Sequence, residues 1–336
     1  MDLSFLTPLL QSLMYGQKVK HVSEAFSRVH ERYQNNTLLP LKGGLEHLAY
    51  ALYRMPATYA AFGRALDHLQ EALPDFNPTS ALDLGSGPGT AMFALCQRFL
   101  AFTHIRGFER SREFRGLCDK MASYLPKAPK VFEALDFDLE RDIEMSDNVD
   151  LVTAVYSFGE ISQEARERWL SWMGTHAKCI VLVEPGTPKG YANLMGCRDY
   201  LIERGVEIIA PCPHQEKCPL MGGKVWCHEA IRLPRTRYHR WLKSAHVGYE
   251  DEKFCYLVAT PSLTSVEIEC RAIHAPKHRS GHTHITLCCE DGREKKYVIS
   301  RRDKELYQKV KRVRWGDSFP DPEKWRKQNE DMCRSD

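Results

Sequence analysis

Apolar side chains recur at three- and four-residue spacings through the first quarter of the chain, and as short unbroken runs after it. Leu45, Leu48, Ala49, Leu52 and Tyr53, then Tyr59, Phe62, Leu66 and Leu69, mark one face of a helix over 45–73, and residues 22–32 carry the same period. Pro56 interrupts this pattern. Lacking an N–H and pushing Met55 away from helical torsions, it is expected to end one helix or open the next. From residue 80 the period changes. Short apolar runs at 80–84, 103–108, 131–137, 150–156 and 177–184 read as strands, with helical stretches between them, notably 163–173. Such alternation predicts a parallel sheet sandwiched by helices, with a ligand at the C-terminal edge of its strands. A helix at 193–205 and a strand at 206–210 follow. Further on come an alternating strand at 282–288 and a basic helix at 309–315.

Three regions result: an N-terminal helical region (1–79), a Rossmann-like α/β domain (80–210) and an extension (211–336). The length of 336 residues suits one large domain plus an elaboration. No apolar run is long enough to span a bilayer, and the N-terminus has neither a basic signal-peptide region nor an Arg-rich presequence, so a cytoplasmic protein without membrane contact is expected. Twelve cysteines in a reducing compartment argue against a disulfide framework and for metal binding by a clustered subset. The net charge of +3 hides an asymmetry: residues 231–316 hold 19 Lys+Arg against 10 Asp+Glu, so this third can attract a polyanion.

The clearest local signal is the strand, glycine turn and helix around Asp83-Leu-Gly-Ser-Gly-Pro-Gly-Thr90. Gly85, Gly87 and Gly89 clear the backbone for a ligand, Ser86 and Thr90 flank them, and the next helix aims its N-terminus at the same place. Glu109 ends the second strand about twenty residues on, where a carboxylate accepts from both ribose hydroxyls of a nucleoside. The loop resembles the first motif of class I S-adenosylmethionine-dependent methyltransferases. That resemblance implies that Asp83 helps hold the methionine amino group and that Asp136 or Asp138 lies near the adenine. The acceptor side is weaker. Where many amino-methylating enzymes carry Asn/Asp-Pro-Pro-aromatic, this chain has Val155-Tyr-Ser-Phe-Gly-Glu-Ile161, leaving Tyr156, Ser157 and Glu160 as weak catalytic candidates.

Cys212, Cys218 and Cys227 lie within sixteen residues on a Pro- and Gly-rich loop, with spacing Cys-x5-Cys-x8-Cys and His228 directly after. Zinc modules pair ligands more tightly. An iron-sulfur cluster accepts wider loops but wants four thiolates, so a fourth must come from Cys255, Cys270, Cys288 or Cys289. His214 and His228 are reserves for a mixed zinc site.

Together, the glycine motif, Val183-Glu-Pro-Gly-Thr-Pro, the cysteine block, Tyr249-Glu-Asp-Glu-Lys-Phe254 and a span from Tyr53-Arg-Met-Pro-Ala-Thr-Tyr to Arg314-Trp-Gly-Asp317 resemble the methyltransferase-like proteins of the small ribosomal subunit. These occur in bacteria and mitochondria and act in ribosome assembly. The resemblance implies a 4Fe-4S cluster on Cys212, Cys218, Cys227 and a downstream cysteine, matched here by Cys288, with adjacent Cys289 leaving that ligand ambiguous. It also implies ribosomal RNA as a partner. Arg232, Arg235, Arg237, Arg240 and Lys243, interleaved with Tyr238, His239 and Trp241, suit phosphate contact and base stacking, as do Lys277, Arg279, Lys311, Arg312 and Arg314. The expectation is a small-subunit assembly factor, monomeric when free, with S-adenosylmethionine as ligand and a structural cluster. The alternative is an active rRNA methyltransferase.

Overall fold

The computed structural model describes residues 3–34, 41–141, 147–243 and 247–332; the remaining parts of the three expected regions lie outside the described residues. Helices α1 (Leu6–Met14), α2 (Val19–Gln34) and α3 (Gly43–Ala72) come first. The alternating region follows with β1 (Ser80–Leu84), α4 (Thr90–Arg98), β2 (His104–Phe108), α5 (Arg112–Ala122), β3 (Val131–Leu135) and β4 (Val149–Val155). It continues with α6 (Gln163–His176), β5 (Ala177–Pro185), α7 (Pro188–Ile202) and β6 (Glu207–Ala210). Beyond it lie β7 (Glu229–Pro234), α8 (Arg237–Leu242), β8 (Tyr249–Thr260), β9 (Cys270–Ala272), β10 (Lys277–Arg279) and β11 (His282–Cys289). The described chain closes with β12 (Glu294–Ser300), α9 (Lys304–Val310), β13 (Ser318–Phe319) and α10 (Pro322–Met332).

The large sheet runs β3-β2-β1-β4-β5-β8-β6, with β7 paired to β8. Strands β1 to β5 are parallel, and β8 enters antiparallel between β5 and β6. Their apolar runs follow from burial on both faces: Leu82, Leu84, Val152, Ile180 and Leu182 pack one side, Ala81, Leu151, Val181 and Val183 the other. The sheet thus takes in a strand from beyond residue 210. The first half of β8 pairs with β7 and the second half with β5 and β6, so one strand joins the α/β domain to the extension.

Pro56 does not break its helix. It sits inside the 30-residue α3, buried among Met55, Ala57, Tyr59 and Phe62. An internal proline costs about 3 kcal/mol, whereas each large apolar side chain buried here returns about 1.5–3 kcal/mol, so packing keeps the helix continuous.

The second sheet is a meander in which β12 pairs with one edge of β11, while β10 and β9 pair with successive parts of the other. Alternation on β11 sends Thr283, Ile285, Leu287 and Cys289 into a core shared with Leu306, Tyr307 and Val310 of α9. The opposite face carries His282, His284, Thr286 and Cys288. The helix expected at 309–315 runs instead over 304–310, so Lys311, Arg312 and Arg314 follow it. Among the described residues one disulfide, Cys270–Cys289, crosses from β9 to β11 with its Cα atoms 4.1 Å apart, a single clasp where no disulfide framework was expected.

Candidate nucleotide cavity and cysteine centre

At the C-terminal ends of β1, β2 and β4 lies a cavity of about 180 Å³. Asp83, Gly85, Ser86, Gly87, Thr90, Glu109, Tyr156, Ser157 and Glu160 all line it. Gly85 has φ +72°, and a Cβ there would sit 2.5 Å from the Cβ of Ser157, so the turn admits no side chain. Gly89, at φ +82°, is off the cavity wall and packs against Cys118. Asp136 is also off the wall: its largely exposed carboxylate accepts from Arg115 at 2.9 Å, and Asp138, two residues on, lines the cavity.

The Asp83 carboxylate accepts from the Thr153 hydroxyl at 2.7 Å, and burial pushes its pKa up to about 7. Glu109 accepts the N–H groups of Gly87 at 2.9 Å and Ser111 at 2.7 Å, which ties the second strand to the glycine turn. On the acceptor side the hydroxyls are already committed. Tyr156, at φ +60°, donates to Glu252 at 3.0 Å, while Arg54 donates to the same carboxylate at 2.8 Å and stacks 5.6 Å from the Tyr156 ring centroid. Ser157 donates to the Leu84 carbonyl at 2.6 Å. Only Glu160, at the cavity mouth, keeps a carboxylate with no hydrogen-bond or ion-pair partner among the described residues. Arg54 on this wall opens Arg54-Met-Pro-Ala-Thr-Tyr59, a segment whose aromatic and basic residues could touch a ligand but read more readily as core packing.

A second, mostly apolar cavity of about 40 Å³ lies between α7, the cysteine loop, β8 and the second sheet. Cys212, Cys218, Cys227 and Cys288 all line it, together with Cys255. Strand parity separates the two neighbours: Cys288 faces the loop, and Cys289 faces away into its bond with Cys270. Cys255 donates to the Cys227 carbonyl at 3.1 Å. Burial pushes the thiols of Cys227 and Cys288 well above the usual range, so the pocket favours neutral sulfur unless positive charge is supplied.

The surroundings suit a soft metal centre. Arg198, wholly buried on α7, holds the loop through the carbonyls of His214 (3.0 Å) and Glu216 (2.7 Å) and lies beside Cys212. The Tyr191 hydroxyl is 3.1 Å from Cys218 Sγ, and His214 Nε2 is 3.2 Å from Cys288 Sγ. Buried His228 Nε2, Tyr256 Oη and Trp315 Nε1 have no partner among the described residues and belong to residues on the cavity wall, where polar hydrogens would meet bound sulfur. From the sequence, Arg198 and Asp199 were expected to face out or towards the site; Arg198 is instead buried against the cysteine loop. A third clustering, Cys270, Cys289 and Asp321, has its two sulfurs bonded to each other.

The basic residues divide by what they touch. Arg232 pairs with Asp251 at 2.7 Å, and Arg235 and Lys243 each reach Glu250 at 3.4 Å. Arg237 lies over the Tyr238 ring. Arg240, Lys277, Arg279, Lys311, Arg312 and Arg314 are exposed and form no ion pair among the described residues.

Among solved structures, the magnesium protoporphyrin IX methyltransferase of Synechocystis with bound SAH is 13% identical, covering 70% of this chain and 95% of that one, at TM-score 0.40. The precorrin-6y C5,15-methyltransferase of Geobacter metallireducens is 14% identical, covering 59% and 86%, at TM-score 0.38. The human mitochondrial ribosome assembly protein METTL17 is 27% identical over 295 residues, or 81% of this chain and 62% of that protein. The mitochondrial Rsm22-cox11 tandem protein 2 of Schizosaccharomyces pombe is 23% identical over 326 residues, 81% of this chain and 43% of that protein. The chain therefore spans less than two thirds of the length of either relative. The family model described as mitochondrial small ribosomal subunit Rsm22 matches residues 44–320, most of the chain, and the protein belongs to that family.

Proposed function

We propose that the protein is an assembly factor of the small ribosomal subunit that binds ribosomal RNA, takes S-adenosylmethionine as a ligand, and is held rigid by a 4Fe-4S cluster. The observation that carries assembly over catalysis is the state of the acceptor side. Tyr156 and Ser157 spend their hydroxyls on Glu252 and Leu84, which leaves exposed Glu160 as the one uncommitted candidate, and a base must reach the proton that it removes. The nucleotide half is intact by contrast, with Asp83, the glycine turn and Glu109 around one cavity.

Cys212, Cys218, Cys227 and Cys288 would hold the cluster, and Arg198 offsets its negative charge. A single tetrahedral zinc would draw its thiolates to about 3.8 Å from one another. No three of these four sulfurs lie within 4.8 Å of one another, so a mononuclear zinc would have to draw them closer. When bound, the cluster supplies cross-linking bonds between the loop and β11, and redox chemistry is no part of this reading. The relatives are named mitochondrial; the compartment of this chain is a separate matter.

Two measurements test the reading. Iron and sulfide analysis with the visible spectrum should give a cluster, and stripping it should weaken rRNA binding; unchanged binding after complete loss would sink the structural role. Methyl transfer to immature small subunits that disappears with Asp83→Ala would establish the enzyme instead.

A further inference from the structure

We propose that the open face of the β10–β11–β12 sheet is a platform for a single-stranded segment of RNA. This rests on the rRNA-binding reading and adds which form of RNA is bound, and where. Cross-strand register puts three rows on one face: Lys277, His284 and Val298; Arg279, His282 and Ser300; then Thr286 and Lys296. Lys277, Arg279, His284, Lys296 and Val298 are exposed. Lys277 and Arg279 make no ion pair among the described residues, and Lys296 meets Glu294 at 3.2 Å. Cationic charge here is thus largely uncompensated, unlike that around α8.

The two imidazoles lie together, with ring centroids 5.1 Å apart, and flank the cations. Successive rows on one face are about 6.6 Å apart, a spacing across which an unstacked strand can lay one base after another. Flat rings between phosphate-binding cations are how sheet surfaces hold single strands; a duplex hides its base faces. Val298 is the one large apolar side chain in these rows, so the face lacks the apolar area of a protein-docking patch. The last row of the face is Arg271, Cys288 and Glu294, at the cysteine centre, where Glu294 is already taken up by Lys296. The platform is therefore anchored at the end where the cluster would bind.

The test uses the full chain with its metal centre loaded, and labelled unstructured oligouridine RNA, blunt RNA duplex and immature small-subunit rRNA as probes. Lys277→Ala with Arg279→Ala should weaken oligouridine binding roughly tenfold and lower the slope of log affinity against log salt by about 1.4. His282→Ala and His284→Ala should each cost roughly fivefold or more while leaving that slope unchanged. Lys127→Ala, at an exposed lysine beyond α5, is the comparison variant, and unaltered visible absorbance verifies folding of each. Wild-type affinity for oligouridine in the sheet variants, or tighter binding of duplex than of single strand, overturns the platform alone. Failure of the unaltered protein to bind any of the RNAs overturns the rRNA-binding reading as well.

Discussion

Asp83 shows how one buried carboxylate can set the response to pH. Its pKa of about 7 lies above the unfolded value, so the folded state holds more protons, and this residue's contribution to stability falls as pH rises from about 4 to 7. A ligand ammonium reverses the preference and favours the carboxylate. S-adenosylhomocysteine should therefore bind about tenfold more weakly at pH 6 than at pH 8, with proton release near pH 7. Calorimetry in buffers of different ionisation heat checks both; pH-independent affinity would remove Asp83 from that contact. A second contrast separates adjacent cysteines. Cys288→Ser should abolish the cluster's colour, whereas Cys289→Ser should keep it and lose only the clasp to Cys270, as iron content and thermal unfolding would report. The sequence could not choose between the two, since parity on β11 depends on which face the cysteine loop covers.

At the scale of elements, strand β8 alternates between neighbours: Glu250 receives Arg235 and Lys243, Glu252 receives Arg54 and Tyr156, and Asp251 between them turns out to Arg232. The Glu-Asp-Glu-Lys segment is thus a set of counterions. Glu252→Ala should leave Arg54 largely buried beside a lone phenol and cost about 3 kcal/mol, measurable by denaturant unfolding. Glu252→Gln should cost less, because its one amide oxygen can still accept from Arg54 and Tyr156 as Oε1 does. Strands β1 to β6 and helices α4 to α7 were legible because buried parallel strands leave short apolar runs with helical spacing between them. The insertion of β8 was not, because strand order is set by packing between residues far apart in sequence. Nor was the continuity of α3 through Pro56, where local propensity lost to burial. Charge runs gave the basic surface but not its pairing, which needs Glu250 and Asp251 in space.

For the molecule as a whole, the junction is a buried polar knot. Arg271 donates to the Pro211 carbonyl at 2.7 Å and the Gly316 carbonyl at 2.8 Å, and reaches Glu71 of α3 at 3.3 Å. Arg64 adds Glu229 and Asp317. Arg271→Met should loosen both lobes together, lowering stability by about 3–5 kcal/mol and weakening cluster retention at once. Separate thermal transitions with an undisturbed cluster would contradict a shared lock.

That knot also imposes a timetable. Glu71 lies 247 residues ahead of its partner Ser318, and Arg64 lies 253 ahead of Asp317. At ordinary synthesis rates of about 5–20 residues per second, the first helices wait about 10–50 s for the segment that locks them. A chain stalled short of residue 318 would carry a nearly complete nucleotide cavity but an unclosed junction. Only with that last segment in place does the junction close.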